Sequence, residues 1–177
     1  MMNMIIDTHI HIWDLDRVRY EWLDAHTGIL RQNWSLEALQ PERVAAGITG
    51  GILVQAANNS QDTLLMLEAA AHNNWIRGVV GWLPLTDPQA TAKGLKEMAS
   101  KKVLKGLRHL IHDEHDPRWL LQPAVIESLS LAAQAGLCYD VVGVLPEHIR
   151  TALQVAEKVP ELRMVFDHIN QPPKDIA

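Results

Sequence analysis

Short apolar runs recur along this chain in a way that predicts buried strands. Each run spans five residues, is mostly apolar and is bounded by polar or turn residues, which is typical of a strand covered on both faces of a parallel sheet. The pattern predicts six strands: Met4–Thr8, Gly51–Gln55, Val79–Leu83, Leu104–Arg108, Leu137–Val141 and Arg163–Asp167.

Between these strands lie segments whose apolar residues recur with the period of an amphipathic helix. These segments are about Leu36–Ala46, Gln61–Asn73, Gln89–Ser100, Pro123–Ala135 and Pro146–Lys158. Ser35, Ser60 and Asp87 stand where helix N-caps are expected, and Gly47 and Gly136 stand where helices should end. The alternation of strands and helices predicts an α/β fold with a parallel sheet.

Two folds fit this alternation, an open doubly wound sheet and a (β/α)8 TIM barrel. A dinucleotide-binding open sheet needs a Gly-rich turn after its first strand, and this chain has His-Ile-His-Ile-Trp-Asp there. In a barrel, catalytic groups lie at the carboxyl ends of strands. Residues able to do chemistry stand at these ends: His9, His11, Gln55, Trp82, Arg108, His109, Asp140, Asp167 and His168. The sequence therefore favours the barrel.

The length of the chain is too small for a complete barrel. Eight units take about 250 residues, whereas this chain has 177. We therefore expect an incomplete barrel of about six βα units, with residues 1–177 forming the N-terminal part of a single barrel domain. Two unpaired sheet edges would favour self-association or poor solubility.

The first strand leads into His9-Ile10-His11. Residues i and i+2 of a strand point to the same face, so both imidazoles are expected to project together from its carboxyl end. Such a pair can bind a divalent metal or polarise a substrate oxygen. His168 follows the sixth strand, and we expect it to meet the pair at the barrel mouth.

Other residues have two interpretations that the sequence leaves open. Arg108 can hold a carboxylate or a substrate carbonyl through two parallel hydrogen bonds, or it can form a salt bridge at the rim. Trp13, Trp22 and Trp34 lie in or beside the long first βα loop. Their rings suit the C–H faces of a sugar, and equally suit packing of the loop.

Composition excludes several classes of protein. The chain is 47% hydrophobic and 21% charged with a net charge of −5, which is ordinary for a globular protein and disfavours a nucleic-acid partner. The sequence contains no apolar stretch long enough to span a membrane and no secretion signal, so a cytoplasmic protein is expected. Cys138 is the single cysteine, which excludes an internal disulfide and a zinc site with several thiolates.

Five short motifs, in order along the chain, resemble the amidohydrolase-related family. The resemblance is to the branch that contains sugar-acid lactonases and 2-pyrone-4,6-dicarboxylate lactonase. The motifs are Ile6-Asp7-Thr8-His9-Ile10-His11-Ile12-Trp13-Asp14, Leu53-Val54-Gln55, Val80-Gly81-Trp82-Leu83, Lys105-Gly106-Leu107-Arg108-His109-Leu110 and Val165-Phe166-Asp167-His168-Ile169. Asn170 stands where the family has a glycine.

The resemblance implies a hydrolase of EC type 3.1.1 that opens a lactone, the cyclic ester of a sugar acid or of a pyrone dicarboxylate. It implies that His9, His11 and His168 are catalytic, and that they are the ligands if a metal is bound. The residues expected to bind substrate are Arg108, Gln55 and Trp82. One divalent metal, zinc before others, is the implied cofactor, and metal-independent catalysis stays open. Arg108 and His109 stand where binuclear relatives bridge two metals, which disfavours a second ion.

The resemblance also places the general base on the last barrel strand, beyond Ala177. We therefore expect lactonase activity in the full-length protein and an inactive fragment here. The alternatives are a decarboxylase of the same superfamily, or a non-catalytic fragment that binds ligand or associates with itself as a homo-oligomer.

Overall fold

A computed structural model describes residues 4–25 and 27–171. Six strands alternate with five α-helices, as predicted. The strands are β1 (Ile6–Ile10), β2 (Gly50–Val54), β3 (Ile76–Gly81), β4 (Leu104–His109), β5 (Cys138–Val141) and β6 (Arg163–Phe166). The helices are α1 (Leu36–Ala45), α2 (Ser60–His72), α3 (Pro88–Met98), α4 (Pro123–Gln134) and α5 (Pro146–Lys158). Short 3-10 turns cover Glu21–Leu23, Ile111–Asp113, Trp119–Leu121 and Asp167–Asn170.

The chain divides into two compact units, the first ending at Trp82 and the second beginning at Leu83. In the first unit β2 lies between β1 and β3, and all three strands run parallel. Gly51 is required in β2, because a Cβ there would lie 2.6 Å from the Trp75 ring and 2.7 Å from Ile10 Cδ1. The core of this unit includes Leu53, Met66 and Val79.

In the second unit β5 lies between β4 and β6, again all parallel. The register pairs Arg108 with Asp140, and Asp140 with Val165. Arg108 and Asp140 therefore share one face of the sheet, and Asp167, the first residue of the 3-10 turn after β6, contacts Arg108. Tyr139 and Val141 lie on the opposite face and are fully buried.

Strand pairing shifted the boundaries that apolar runs had predicted. The first strand was predicted at Met4–Thr8, but β1 begins at Ile6, where pairing with Gly50 begins. Met4 and Ile5 are exposed despite being apolar. The third strand moved three residues towards the N-terminus, to Ile76, because Ile76 pairs with Gly51 of β2. For β1 and β3, therefore, backbone pairing and not the apolar run decided where the strand begins.

Most helix ends follow the predicted chemistry. The side chains of Ser35 and Asp87 accept the backbone N–H groups of Ala38 and Ala90, at 3.4 and 3.0 Å. Ser60 was predicted as the N-cap of α2, but Asn59 is the N-cap and its Oδ1 accepts the backbone N–H of Asp62 at 2.9 Å.

Of the helices within the described ranges, none is long and apolar enough to cross a membrane.

Candidate active site

The imidazoles of His9 and His11 lie side by side at the carboxyl end of β1. Their Nε2 atoms are 3.2 Å apart, and the rings meet edge to face with centroids 4.8 Å apart. The backbone N–H of His9 donates to Asp7 Oδ1 at 3.1 Å, within the part of β1 where its register with β2 shifts. The predicted pairing of these two residues on one face is therefore present in the structure.

The tautomer of His11 follows from its second contact. Its Nδ1 lies 2.8 Å from the carbonyl oxygen of Val54, at the end of β2. A carbonyl can only accept, so Nδ1 carries the proton, and in the neutral ring Nε2 presents a lone pair. An outer hydrogen bond of this type is what orients histidine ligands in metal sites.

The distance between the two Nε2 atoms fits a shared metal ion. Two nitrogens bound to one tetrahedral zinc at ordinary bond lengths lie about 3.3 Å apart, close to the 3.2 Å observed. The pair therefore fits as two ligands of a divalent ion. Within residues 4–25 and 27–171, however, no three His, Cys, Asp or Glu side chains form a group that could hold a metal.

A cavity of about 430 Å³ adjoins this pair in the first unit. Its walls combine polar and aromatic side chains with one face of α1. The lining residues include Asp7, His9, His11, Trp13, Trp34 and Glu42. A half-buried histidine pair beside two indole rings can accept a small polar ligand with a C–H face.

The three tryptophans of the first βα loop hold that loop together. Each indole N–H donates to a backbone carbonyl: Trp13 to Gln32 at 2.7 Å, Trp22 to Ala56 at 2.8 Å and Trp34 to Ile29 at 3.1 Å. Trp13 also packs edge to face on Trp22, with ring centroids 5.6 Å apart. The contacts that the packing interpretation predicts are therefore present. Trp13 and Trp34 also line the cavity, as the ligand-binding interpretation requires.

Gln55 directly follows β2 and is fully buried. Its Nε2 donates to the carbonyl of Ala57 at 3.2 Å and to Asn58 Oδ1 at 3.0 Å, so its amide shapes the β2–α2 loop. Its predicted contact with substrate stays a prediction.

Asp62 is the residue of this region that sequence reasoning missed. Its buried carboxylate accepts the N–H of Ala56 at 2.8 Å and the hydroxyl of Tyr20 at 2.8 Å. It thereby ties the loop that carries Gln55 to the long first loop. Burial of Tyr20 beside this carboxylate raises the pKa of its phenol. The sequence offered little indication of this role, because an acidic residue in the first turn of a helix is common and is explained by the helix dipole alone.

Trp82 follows β3 and is half-buried. Its backbone is clamped by Thr63 of α2: the Trp82 N–H donates to Thr63 Oγ1 at 2.7 Å, and that hydroxyl donates to the Trp82 carbonyl at 3.2 Å. The clamp positions the strand end, and the substrate-binding role of the indole stays a prediction.

The second polar cluster lies at the carboxyl ends of β4, β5 and β6. Arg108 Nη1 donates to Asp167 Oδ2 at 2.9 Å, with side-chain exposures of only 4% and 3%. Asp140, beside Arg108 in register, is 5% exposed. The sequence offered Arg108 as a substrate anchor or as part of a rim salt bridge. The ion pair exists, but it is buried rather than at an exposed rim.

Burial raises the pKa of Asp140 to about 7, and the negative charge of Asp167 adds to the rise. Arg108 and a hydrogen bond from the Cys138 thiol oppose it. Asp140 and Asp167 lie beside the same guanidinium, and Asp140 keeps its proton up to a pH close to neutral.

His168 is exposed and begins a turn with left-handed backbone, with φ of 52°. Ile169, Asn170 and Gln171 share the positive φ, which a β-branched residue such as Ile169 adopts rarely. Asn tolerates this region best, and Asn170 is further anchored because its Oδ1 accepts the N–H of Gly143 at 3.2 Å. This explains how Asn replaces the glycine of the resembling family.

His109 follows Arg108 on β4, so its side chain projects from the opposite face of that strand. It stacks on Trp119, with ring centroids 3.9 Å apart, and its Nε2 lies 2.6 Å from Glu114 Oε1. Burial lowers its pKa, although Glu114 acts in the other direction.

A sequence model of the amidohydrolase family matches residues 6–177. The chain belongs to the amidohydrolase family. It is 26% identical over 172 residues to an L-fucono-1,5-lactonase of Burkholderia ambifaria, covering 97% of this chain and 59% of that enzyme. It is 34% identical over 119 residues to an L-fucono-1,5-lactonase of Burkholderia multivorans, covering 67% and 40%.

Solved structures agree with this assignment. An amidohydrolase of Burkholderia multivorans with bound zinc superposes with a TM-score of 0.81 at 27% identity, covering 96% of this chain and 59% of that one. A second crystal form, with bound HEPES, gives a TM-score of 0.84 at 28% identity, covering 95% and 58%. The chain thus spans less than two thirds of these relatives. The predicted fold class, an incomplete (β/α)8 barrel of about six units, and the predicted family are confirmed.

Proposed function

We propose that the protein of which this chain forms all or part hydrolyses the ester bond of a sugar-acid lactone. The observation that carries the proposal is the pair of imidazoles at the end of β1, with Nε2 atoms 3.2 Å apart beside an aromatic-walled cavity. The two lactonase relatives support lactone hydrolysis as the reaction.

The catalytic roles in this proposal belong to His9, His11 and His168. The lone pair that His11 presents at Nε2 and the adjacent ring of His9 suit either direct polarisation of the lactone carbonyl or a divalent ion. Zinc bound there would act as a Lewis acid on the carbonyl oxygen. The zinc-bound relative supports a metal in this family. His168 is proposed as a further member of the set, because it follows β6 at a strand's carboxyl end.

The binding roles belong to Arg108, the penultimate residue of β4, and to Gln55 and Trp82, which directly follow β2 and β3. Gln55 and Trp82 are held by the loop contacts described above, and Arg108 is held by Asp167. The side chains of Gln55 and Arg108 and the backbone of Trp82 are thus preorganised, which is what a substrate site requires. The cytoplasmic location and a homo-oligomeric state also stay predictions.

The direct test measures hydrolysis of L-fucono-1,5-lactone and of other sugar-acid lactones, with and without added zinc. The 177-residue chain is assayed beside a form extended to the length of its relatives. We expect turnover from the extended form and at least about a hundredfold less from the chain alone, since loss of a general base typically removes 10² to 10⁴ in rate. No turnover of any lactone by the extended form would refute the proposal.

A further inference from the structure

Asp62, in the first turn of α2, is a fully buried acid that does not line the cavity at the end of β1. Its Oδ2 accepts the backbone N–H groups of Ala56 at 2.8 Å and of Ala57 at 3.3 Å. Its Oδ1 accepts the hydroxyl of Tyr20 at 2.8 Å. These donors belong to buried residues, so they need acceptors inside the protein. The carboxylate therefore joins the loop after β2 to the first βα loop at one point.

The backbone after β2 changes its partner at this point. The N–H of Gln55 still donates to the carbonyl of Val80 in β3, at 2.9 Å, as in the sheet. The next two N–H groups, those of Ala56 and Ala57, donate to Asp62 instead. Asp62 thus holds the backbone where pairing with β3 stops. It also fixes the carbonyl of Ala57, which accepts the side-chain amide of Gln55 at 3.2 Å.

The peptide between Ala56 and Ala57 links Asp62 to Trp22. Its N–H donates to the carboxylate, and its carbonyl accepts the indole N–H of Trp22 at 2.8 Å. Hydrogen bonds in such a chain polarise and strengthen one another. Tyr20 stands two residues before Trp22, so its bond to Asp62 attaches the same turn a second time.

Trp22 in turn supports a wall of the cavity. Its ring packs edge to face on Trp13, with centroids 5.6 Å apart. Trp13 lines the cavity together with His9 and His11, whereas Trp22 does not. The backbone of Trp13 is paired with that of Trp34 through bonds of 3.0 and 2.9 Å. The pairing fixes the backbone of Trp13, and the contact with Trp22 supports its ring.

We propose that Asp62 is a positioning residue: it holds the turn of Trp22, and through Trp22 the Trp13 wall of the cavity, in the arrangement that binds a ligand. The inference rests on the proposed function in one respect, because it takes this cavity as the lactone site. Asp62 acts on the lactone only through groups that contact its ring, and such groups bind substrate and transition state alike. Loss of such binding raises KM and leaves kcat nearly unchanged.

Hydrogen exchange of the indole N–H groups tests the positioning without any ligand. A proton–nitrogen correlation spectrum of the 177-residue chain separates their signals, and Trp22→Phe and Trp34→Phe assign two of them. Asp62→Ala should speed exchange at Trp22 by about tenfold, because it removes the acceptor that holds the peptide bonded to this indole. The indole N–H of Trp34, which donates to the Ile29 carbonyl in the same loop, should exchange as in wild type.

Two milder variants grade the effect. Asp62→Asn keeps an oxygen that can accept the loop N–H groups and an amide that can donate to the Tyr20 oxygen. It should therefore restore exchange and KM to within about twofold of wild type. Tyr20→Phe removes one of the two attachments and should speed Trp22 exchange by about threefold. If Asp62→Ala does not fold, Tyr20→Phe supplies the decisive comparison.

Kinetics of the extended form measure the consequence for the substrate. For L-fucono-1,5-lactone, Asp62→Ala should raise KM by about tenfold and change kcat by less than about twofold. Thr91→Val is the matched control for a general loss of stability, since it removes a buried hydroxyl that donates to the Pro84 carbonyl at 3.0 Å in the second unit. It should leave KM, kcat and Trp22 exchange as in wild type.

The outcomes distinguish this inference from the proposed function. Faster exchange at Trp22 alone, together with the rise in KM, supports the role of Asp62. Equal acceleration at Trp22 and Trp34 would show that Asp62 only stabilises its unit, and this overturns the inference. Unchanged exchange at Trp22, or unchanged KM in a form that turns over, overturns it as well. Absence of lactone turnover from every extended form refutes the proposed function, and the exchange result then decides the positioning role by itself.

Discussion

The histidines at the end of β1 differ in burial and charge from the buried residues at the ends of β4, β5 and β6, which we call the β4–β6 cluster: Arg108, Asp140 and Asp167. His9 and His11 are half-buried, line a cavity and contact each other. Arg108, Asp140 and Asp167 are buried, and Arg108 forms an ion pair with Asp167 beside the second acid, Asp140. The first group can meet a ligand with little desolvation, whereas the second must keep its charges balanced for the unit to fold. Loss of one member should therefore affect activity at β1 and stability at β4–β6.

The largest effect is expected from Arg108→Leu. It leaves the two acids of the β4–β6 cluster buried without their cation, so the free energy of unfolding should fall by about 3–5 kcal/mol. Urea denaturation at pH 7 measures it. The double variant Arg108→Leu with Asp167→Leu is the control, since removal of both partners should recover most of the loss. Equal losses in the single and double variants would mean that packing, and not charge, holds this region.

Asp140 should make stability depend on pH. Its pKa is raised to about 7 in the folded chain, whereas the unfolded chain ionises it near pH 4, so stability present at low pH is lost as pH rises from about 4 to about 7. The loss amounts to about 4 kcal/mol at most. Asp140→Asn should remove this part of the pH profile and be the more stable protein at pH 8. Parallel profiles for the two proteins, from denaturation between pH 4 and 8, would contradict the raised pKa.

At β1 the expected loss is in rate. In the extended form, His9→Ala or His11→Ala should lower kcat/KM for the lactone by at least about a hundredfold, the effect of removing one group that stabilises the transition state. His115→Ala, in an exposed loop, is the matched control. The free energy of unfolding should change little. A large loss of stability with unchanged kcat/KM in the folded fraction would make the pair structural.

The two tyrosines of the chain give the smallest and most closely matched comparison. Tyr20 donates its hydroxyl to Asp62 at 2.8 Å, while the buried hydroxyl of Tyr139 has no hydrogen-bond partner among the described residues. Tyr20→Phe should lower the free energy of unfolding by about 1–2 kcal/mol, and Tyr139→Phe should be neutral or stabilising. Thermal denaturation of both variants decides the matter, and equal losses would show that the Tyr139 hydroxyl does have a partner.

Strand–helix alternation was readable from the chain because it depends on local periodicity. All six strands and five helices were predicted near their places, and α5 was predicted at its observed bounds. The His9–His11 pair was also predictable, because a two-residue spacing on a strand fixes which face both side chains share. The boundaries of the elements were harder to predict from the sequence. Pairing with β2 places the starts of β1 and β3 at other residues than the apolar runs predicted, and Asn59 instead of Ser60 is the N-cap of α2.

What the sequence determined by itself was the class of fold and which reactive residues end its strands, since both follow from patterns a few residues long. Tertiary structure decided what those residues contact. Arg108 could have faced substrate or solvent, and only the approach of Asp167, 59 residues away, makes it half of a buried ion pair. Asp62 looked like a helix-start charge until Tyr20, 42 residues distant, came within 2.8 Å of it. Partners so far apart in the chain are brought together by packing, and short-range patterns carry no information about them.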